Sequence, residues 1–278
     1  MIYLACTVYA GGKDKGEKMK RFIALMTLLA TVILSMTSCA RLSAAKDLQD
    51  AYPTDGQDYS TESTMDFDID DENILKLYPA LSGKVKVSAR MCGGNMKSRT
   101  DMPSNAGEIE SEQTLVGNTL YIKQKMTYAG IEVGSQRLRV ELTAEQRAEI
   151  LADDNTTTGF GIGDFGSVKK EKTEGGVTYI LGSFKDGSES GLEELVCSLL
   201  GSSEAEVKTV KLNLTVTIID GFVSTEKVEC EFLVRDGSFE FTLPMTMENS
   251  YKLETKEITV PINESTYKLV PYDMIFGE

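Results

Sequence analysis

The sequence predicts an α+β fold: a curved, mostly antiparallel β-sheet, a half-barrel-like meander, carrying two short helices. Three observations lead there. Long stretches alternate apolar and polar residues with period two, Gly-Asn and Asp-Gly pairs punctuate them, and two short segments switch to helical spacing behind capping signals.

The alternation is clearest at Val210, Leu212, Leu214, Val216 and Ile218, which interleave with Lys211, Asn213, Thr215 and Thr217. Successive side chains of a strand point to opposite faces, so such a segment buries one face and wets the other. Asp220-Gly221 supplies a turn into Val228, Cys230, Phe232 and Val234. Asp236-Gly237 supplies another into Phe239, Phe241, Leu243, Met245 and Met247. Upstream, Val85, Val87, Ala89 and Met91 alternate with Lys84, Lys86, Ser88 and Arg90. Leu120, Ile122, Gln124, Met126 and Tyr128 follow a turn at Gly117-Asn118, and Leu138, Val140 and Leu142 follow one near Gly134.

Two helices interrupt the strands. Thr143-Ala144-Glu145-Gln146 reads as a capping box before Arg147 to Leu151. Ser190-Gly191-Leu192-Glu193 reads as a second, ahead of Leu195, Val196, Leu199 and Leu200, with Gly201 as the stop. Asn73 to Leu81 has room for one more short helix, interrupted by Pro79.

The N-terminal region reads as a targeting segment. From Met19 the chain runs Met19-Lys20-Arg21, then Phe22 to Met36 without charge, then Thr37-Ser38-Cys39. That is a basic region, an apolar stretch too short for a membrane-spanning helix, and small residues before a cut site. Met36-Thr37-Ser38-Cys39 resembles the lipobox of bacterial lipoproteins, with Met in the usual Leu position. The resemblance implies transfer of diacylglycerol to the Cys39 sulfur, cleavage after Ser38, and stable anchoring by two or more acyl chains. Residues 19–38 are then the signal peptide. Residues 1–18 fit no part of it, and Lys15-Gly16-Glu17-Lys18 can be encoded by a purine-rich ribosome-binding sequence, so translation is expected to start at Met19. Ala40 is not the Asp that resembles an inner-membrane retention signal. The expected location is extracytoplasmic, on the outer membrane or, in a cell with one membrane, the cell membrane.

Residues 39–72 are expected to be the lipidated cysteine and a flexible tether. Ser, Thr, Asp, Gln and Ala dominate, and the segment ends in the acidic run Asp66 to Glu72, too polar to offset its ordering entropy. Asp66, Asp68 and Asp70 lack the glycine and the closing carboxylate of a calcium loop. Residues 73–278 then form a single β-rich domain.

Composition narrows the chemistry. The chain has 278 residues, 29 basic and 43 acidic, for a net charge of −14; without residues 1–38 it keeps 24 and 41, a net of −17. Such a surface repels phosphate backbones, so nucleic acid is not an expected partner. There is no His, which removes the commonest general base and transition-metal ligand. Past the anchor, Cys92, Cys197 and Cys230 lack zinc-site spacing; one disulfide or three buried thiols both fit them. The loop Gly159 to Gly166 has no Lys-Ser/Thr after its glycines, so it is not a phosphate loop. Glu108, Glu110 and Glu112 alternate on one strand face and read as solvated. No catalytic residue, metal site or cofactor is expected.

Three passages resemble the LolA/LppX-like lipoprotein-carrier half-barrel superfamily. They are Gly117 to Lys123, Leu214 to Phe232, and Ile258-Thr259-Val260-Pro261 after a strand containing Tyr251. The span from Gly83 to Tyr272 covers about 190 residues, but the motifs are short. The resemblance implies a concave apolar sheet face wrapped around a lipid, with helices 143–152 and 191–200 as a lid. The matching face would carry Leu212, Leu214, Val216, Phe232 and Phe241 as ligand-binding residues. Alternatively the helices fill the concavity and leave a solid core. The expected function is a non-enzymatic, membrane-anchored lipoprotein that binds or carries a lipid or other apolar ligand. The alternative is a structural or protein-interaction module of the cell envelope.

Overall fold

The computed structural model describes residues 39–54, 56–104, 107–153, 162–185, 191–202, 205–254 and 256–276. Within them, one twelve-stranded sheet dominates, with a few short helices, and it is not closed into a barrel. The strands are β1 (Tyr59–Phe67), β2 (Val85–Cys92), β3 (Asn95–Ser104), β4 (Gly107–Val116), β5 (Thr119–Tyr128), β6 (Ile131–Glu141), β7 (Phe165–Thr173), β8 (Gly176–Phe184), β9 (Glu206–Ile219), β10 (Phe222–Asp236), β11 (Phe239–Leu253) and β12 (Lys268–Leu269). The helices are α1 (Cys39–Ala51), α2 (Glu72–Leu77), α3 (Ala144–Asp153), α4 (Leu192–Leu200) and α5 (Tyr272–Phe276).

The spatial order is β12-β6-β5-β4-β3-β2-β1-β11-β10-β9-β8-β7. Two meanders, β2 to β6 and β7 to β11, therefore meet at β1. Every pairing is antiparallel except β12 with β6. Tight turns set this register. Asp220 and Gly221 both take positive φ, 52° and 80°, as a two-residue hairpin turn demands. Arg147 on α3 ties two hairpins together, donating to the carbonyls of Gly94 and Gly117.

The expected tether is corrected here. Ala44, Ala45, Leu48 and Ala51 of α1 and Tyr52 just after it are buried, and β1 lies at the middle of the sheet between β2 and β11. The small alanines let α1 approach the sheet closely. Strand β1 presents Tyr59, Thr61, Ser63, Met65 and Phe67 to the interior, and its hydroxyl residues make it read as polar chain. The folded unit therefore reaches back at least to Ala44. The expected start at Met19 and the signal peptide 19–38 lie outside the described residues, as do 159–161 of the glycine-rich loop.

Smaller differences have equally local causes. A bulge where Glu231 pairs with Lys211 but Phe232 with Thr209 turns Val210 outward, leaving it 46% exposed, and puts Thr209 inside. The turn before β6 is at Ala129-Gly130, both with positive φ, and Gly134 is a strand residue opposite Met126. The β10–β11 loop is Gly237-Ser238, one residue later than expected, because Asp236 still pairs with Phe239. Thr143 and Gln146 do form a reciprocal cap. At α4, Gly191 holds the N-cap position, and the Glu193 carboxylate turns away to accept from Thr209. Ser190 lies outside the described residues. Helix α2 occupies the first part of the expected 73–81 segment and stops before Pro79, and α1 and α5 add to the helices expected.

Two apolar clusters sit on one face of the sheet. The larger gathers β1, β2 and β8 to β11 under α1 and α4, with Leu48, Met65, Leu195, Leu214, Val228, Phe232 and Met247 at its centre. The smaller lies at the β3 to β6 end with α3 and α5, around Met96, Leu115, Leu120, Val140, Ile150 and Phe276.

Candidate functional site

Register places a polar band between those clusters. Glu226, Asn249, Ser63, Val87, Thr100, Ser111, Gln124 and Gln136 are successive partners from β10 to β6. One step along the strands, Tyr251, Thr61, Ala89, Ser98, Gln113 and Ile122 form a second line. Apolar lines border both sides. Leu214, Val228, Met247, Met65 and Val85 run on one, and Tyr59, Met91, Met96, Leu115, Leu120 and Val140 on the other. At about 4.8 Å between strands and about 3.4 Å per residue, the band is about 34 Å long and about 7 Å wide, measured along the sheet.

The band is buried. Glu226, Ser63, Thr61, Ser98, Thr100, Ser111, Gln113 and Asn249 are each 3% exposed or less. Yet the side-chain oxygens of Thr61, Thr100, Ser111 and Asn249 have no hydrogen-bond partner. A buried polar group left unpaired costs about 1–3 kcal/mol, and native interiors hold few of them. Four such atoms fall in this one band.

Glu226 heads the band. Its Oε2 accepts from the Tyr52 hydroxyl at 2.7 Å and the Tyr251 hydroxyl at 3.2 Å, and its Oε1 from the Asn249 amide at 3.4 Å. The two tyrosine rings meet edge to face at 5.9 Å, so α1 and β11 close around the carboxyl together. Burial pushes the Glu226 carboxyl up to about 7, while its hydrogen bonds pull it back. Burial, then the neighbouring Glu226, raises both tyrosine hydroxyls well above their usual range.

Further along α1, the Asp47 carboxylate accepts from the Tyr179 hydroxyl and pairs with Lys170 at 2.9 Å, contacts that hold it below the usual carboxylate range. Glu226 and Asp47 thus fix α1 to β10, β7 and β8.

Of the residues singled out from the sequence, Val216 lies directly across from Glu226, and Leu214 across from Val228 in the bordering line. Leu212 and Phe232 sit deeper in the larger cluster, and Phe241 packs at its margin against Tyr78 at 5.7 Å. The five share one face, which α4 covers with Leu192, Leu195, Val196, Leu199 and Leu200. Helix α3, expected to share the lid, belongs to the smaller cluster. Cys39 is the first residue of α1. Cys92, Cys197 and Cys230 are free thiols, and burial pushes Cys230 far up. Glu110 and Glu112 pair with Arg99, Lys125 and Lys97 on the opposite face.

Sequence reasoning missed Glu226 and Asn249 although parity marks both. Glu226 is in step with inward Val228, Cys230 and Phe232, and Asn249 with Met245, Met247 and Tyr251. A charged or amide residue at an inward position was the available signal.

No protein family and no curated protein matches the sequence. Among solved structures, the ywiB protein from Bacillus subtilis is similar over 72% of this chain and 93% of its own, with 8% identity and a TM-score of 0.19. A beta-barrel-like protein of the domain of unknown function DUF1849 from Brucella abortus is similar over 70% and 96%, with 8% identity and a TM-score of 0.22. At those scores neither likeness carries an argument about this chain.

Proposed function

We propose that this protein is a non-enzymatic, membrane-anchored extracytoplasmic lipoprotein, attached through Cys39, whose half-barrel-like sheet binds or carries a lipid or another amphipathic ligand. One observation supports the binding role above all. Four buried, unpartnered polar atoms line a narrow band between two apolar borders. A long molecule with hydrogen-bonding groups on one edge and hydrocarbon on the other suits that pattern. It would recover the free energy that those atoms otherwise cost. Leu214 and Val216 would hold its hydrocarbon beside Glu226, with Leu212, Phe232 and Phe241 behind them. The anchor would sit close to the domain, since α1 begins at Cys39 and is already buried at Ala44.

The test is native mass spectrometry of the full chain extracted from its host membrane in mild detergent. A discrete added mass of lipid size, removed by organic extraction, is the expected result. A bare protein mass in every preparation would refute ligand binding.

The alternative reading, an interaction module of the envelope, has one observation of its own. Tyr128, Ile131 and Val133 at the β5–β6 hairpin are 58%, 69% and 54% exposed, an apolar tip on a chain of net charge −14. Loss of a co-purifying protein on Ile131→Lys, with no lipid mass in either form, would favour it.

A further inference from the structure

Among the described residues, no basic side chain pairs with Glu226. Its partners are two tyrosine hydroxyls and one amide, all neutral donors. A carboxyl 1% exposed therefore sits at the end of the band without a countercharge. Oε2 takes both hydroxyls, and Oε1 takes only the long 3.4 Å contact, so a lone pair of Oε1 is without a donor. Beside it, the Asn249 Oδ1 is an acceptor with nothing to accept from. Thr61, opposite Tyr251 across β1 and β11, offers a third unpaired oxygen. The head of the band thus holds a carboxylate oxygen, an amide oxygen and a hydroxyl that can each accept a further hydrogen bond.

We infer that the ligand is a cationic amphiphile, with a protonated amine seated on Glu226 and Asn249 and its chain lying along the band. The inference rests on the reading of the band as a ligand seat and names the class of ligand. A primary ammonium carries three N–H donors and one positive charge, which answers both the unpaired acceptors and the uncompensated carboxylate. A hydroxyl head has a single donor and no charge. A carboxylate or phosphate head would place like charges together and is disfavoured. Hydroxyls at Thr100 and Ser111, further along the same line, are placed for amide or hydroxyl groups carried on the chain. Burial of Glu226 raises its carboxyl, and a bound ammonium would lower it again, so amine binding and ionisation support each other.

The experiment uses the full chain in mild detergent and three probes added separately: dodecylamine, dodecanol and dodecanoate. Native mass spectrometry reads the concentration at which each is retained. The amine is expected to be retained at about one-tenth the concentration of the alcohol, with the carboxylate weakest. Glu226→Gln keeps an acceptor for both tyrosines and is expected to bring amine and alcohol within about twofold of each other. Asn249→Leu is a second variant that weakens the amine selectively. Retention of dodecanol as tight as dodecylamine, or an amine preference that survives Glu226→Gln, overturns the cationic class while leaving a ligand seat. Retention of none of the three overturns the ligand-seat reading itself, and this inference with it.

Discussion

Glu226 on β10 and Asn249 on β11 are direct register partners on the buried face of the sheet, and the asparagine amide donates to the carboxyl while its own oxygen is unpaired. An acidic group so placed makes stability depend on pH. Its carboxyl is raised from 4.5 to about 7 in the folded state, so the folded protein holds the proton longer than the unfolded chain does. The stability from this group is fully present below pH about 4.5 and is lost as pH rises to about 7. The loss is about 3 kcal/mol, since each pKa unit is worth about 1.4 kcal/mol. Urea unfolding of wild type and Glu226→Gln at pH 5 and pH 8 measures it. The variant is expected to gain on wild type between the two pH values; an equal pH response would count against a buried proton at Glu226.

Thr100→Val and Ser111→Ala remove hydroxyls that have no partner. With ligand extracted, each is expected to raise stability by about 1–3 kcal/mol, the usual cost of an unpaired buried polar group. With ligand present, the gain shrinks because a contact is lost. Thermal unfolding before and after organic extraction reads both, and destabilisation of the extracted protein would show that the hydroxyls are already satisfied.

The docking of α1 predicts resistance where a tether would be cut. Limited proteolysis is expected to spare residues 44–52 and 59–67, since Ala45 and Leu48 are fully buried and β1 is paired on both sides. Ala45→Leu overfills the contact, should cost about 1–3 kcal/mol, and should loosen the helix enough for trypsin to cut after the already exposed Lys46. Early cleavage of the wild type within this segment would contradict the docked helix.

Gly83→Ala tests a close approach of two backbones. A β-carbon there would lie 2.1 Å from the Pro103 carbonyl oxygen, between the turn Pro79–Ser82 and β3. Neither side can yield without moving main chain. The expected loss is about 1–3 kcal/mol, at the upper end, read by urea unfolding; a neutral substitution would contradict the packing of that turn on β3.

Much of the sheet was legible because inward Leu212, Leu214, Val216, Val228 and Phe232 are apolar and their neighbours are not. The band was illegible for the same reason. Where inward positions are Thr61, Ser63, Ser98, Thr100 and Ser111, alternation of hydropathy vanishes while alternation of direction persists. Strand β1 therefore reads as solvated chain. A bulge hid one more position, because Val210 changes face without any change in residue type. Long-range partners such as Tyr52 with Glu226, 174 residues apart, leave no local signal.

The most direct measurement is the electron density along the band in a crystal of the full chain purified from its own host. Continuous, elongated density within about 3 Å of Asn249 Oδ1, Thr61 Oγ1, Thr100 Oγ1 and Ser111 Oγ is the predicted result. Isolated water peaks at those four atoms, with side chains packed across the space between them, would contradict a ligand seat and leave the band as a hydrated core.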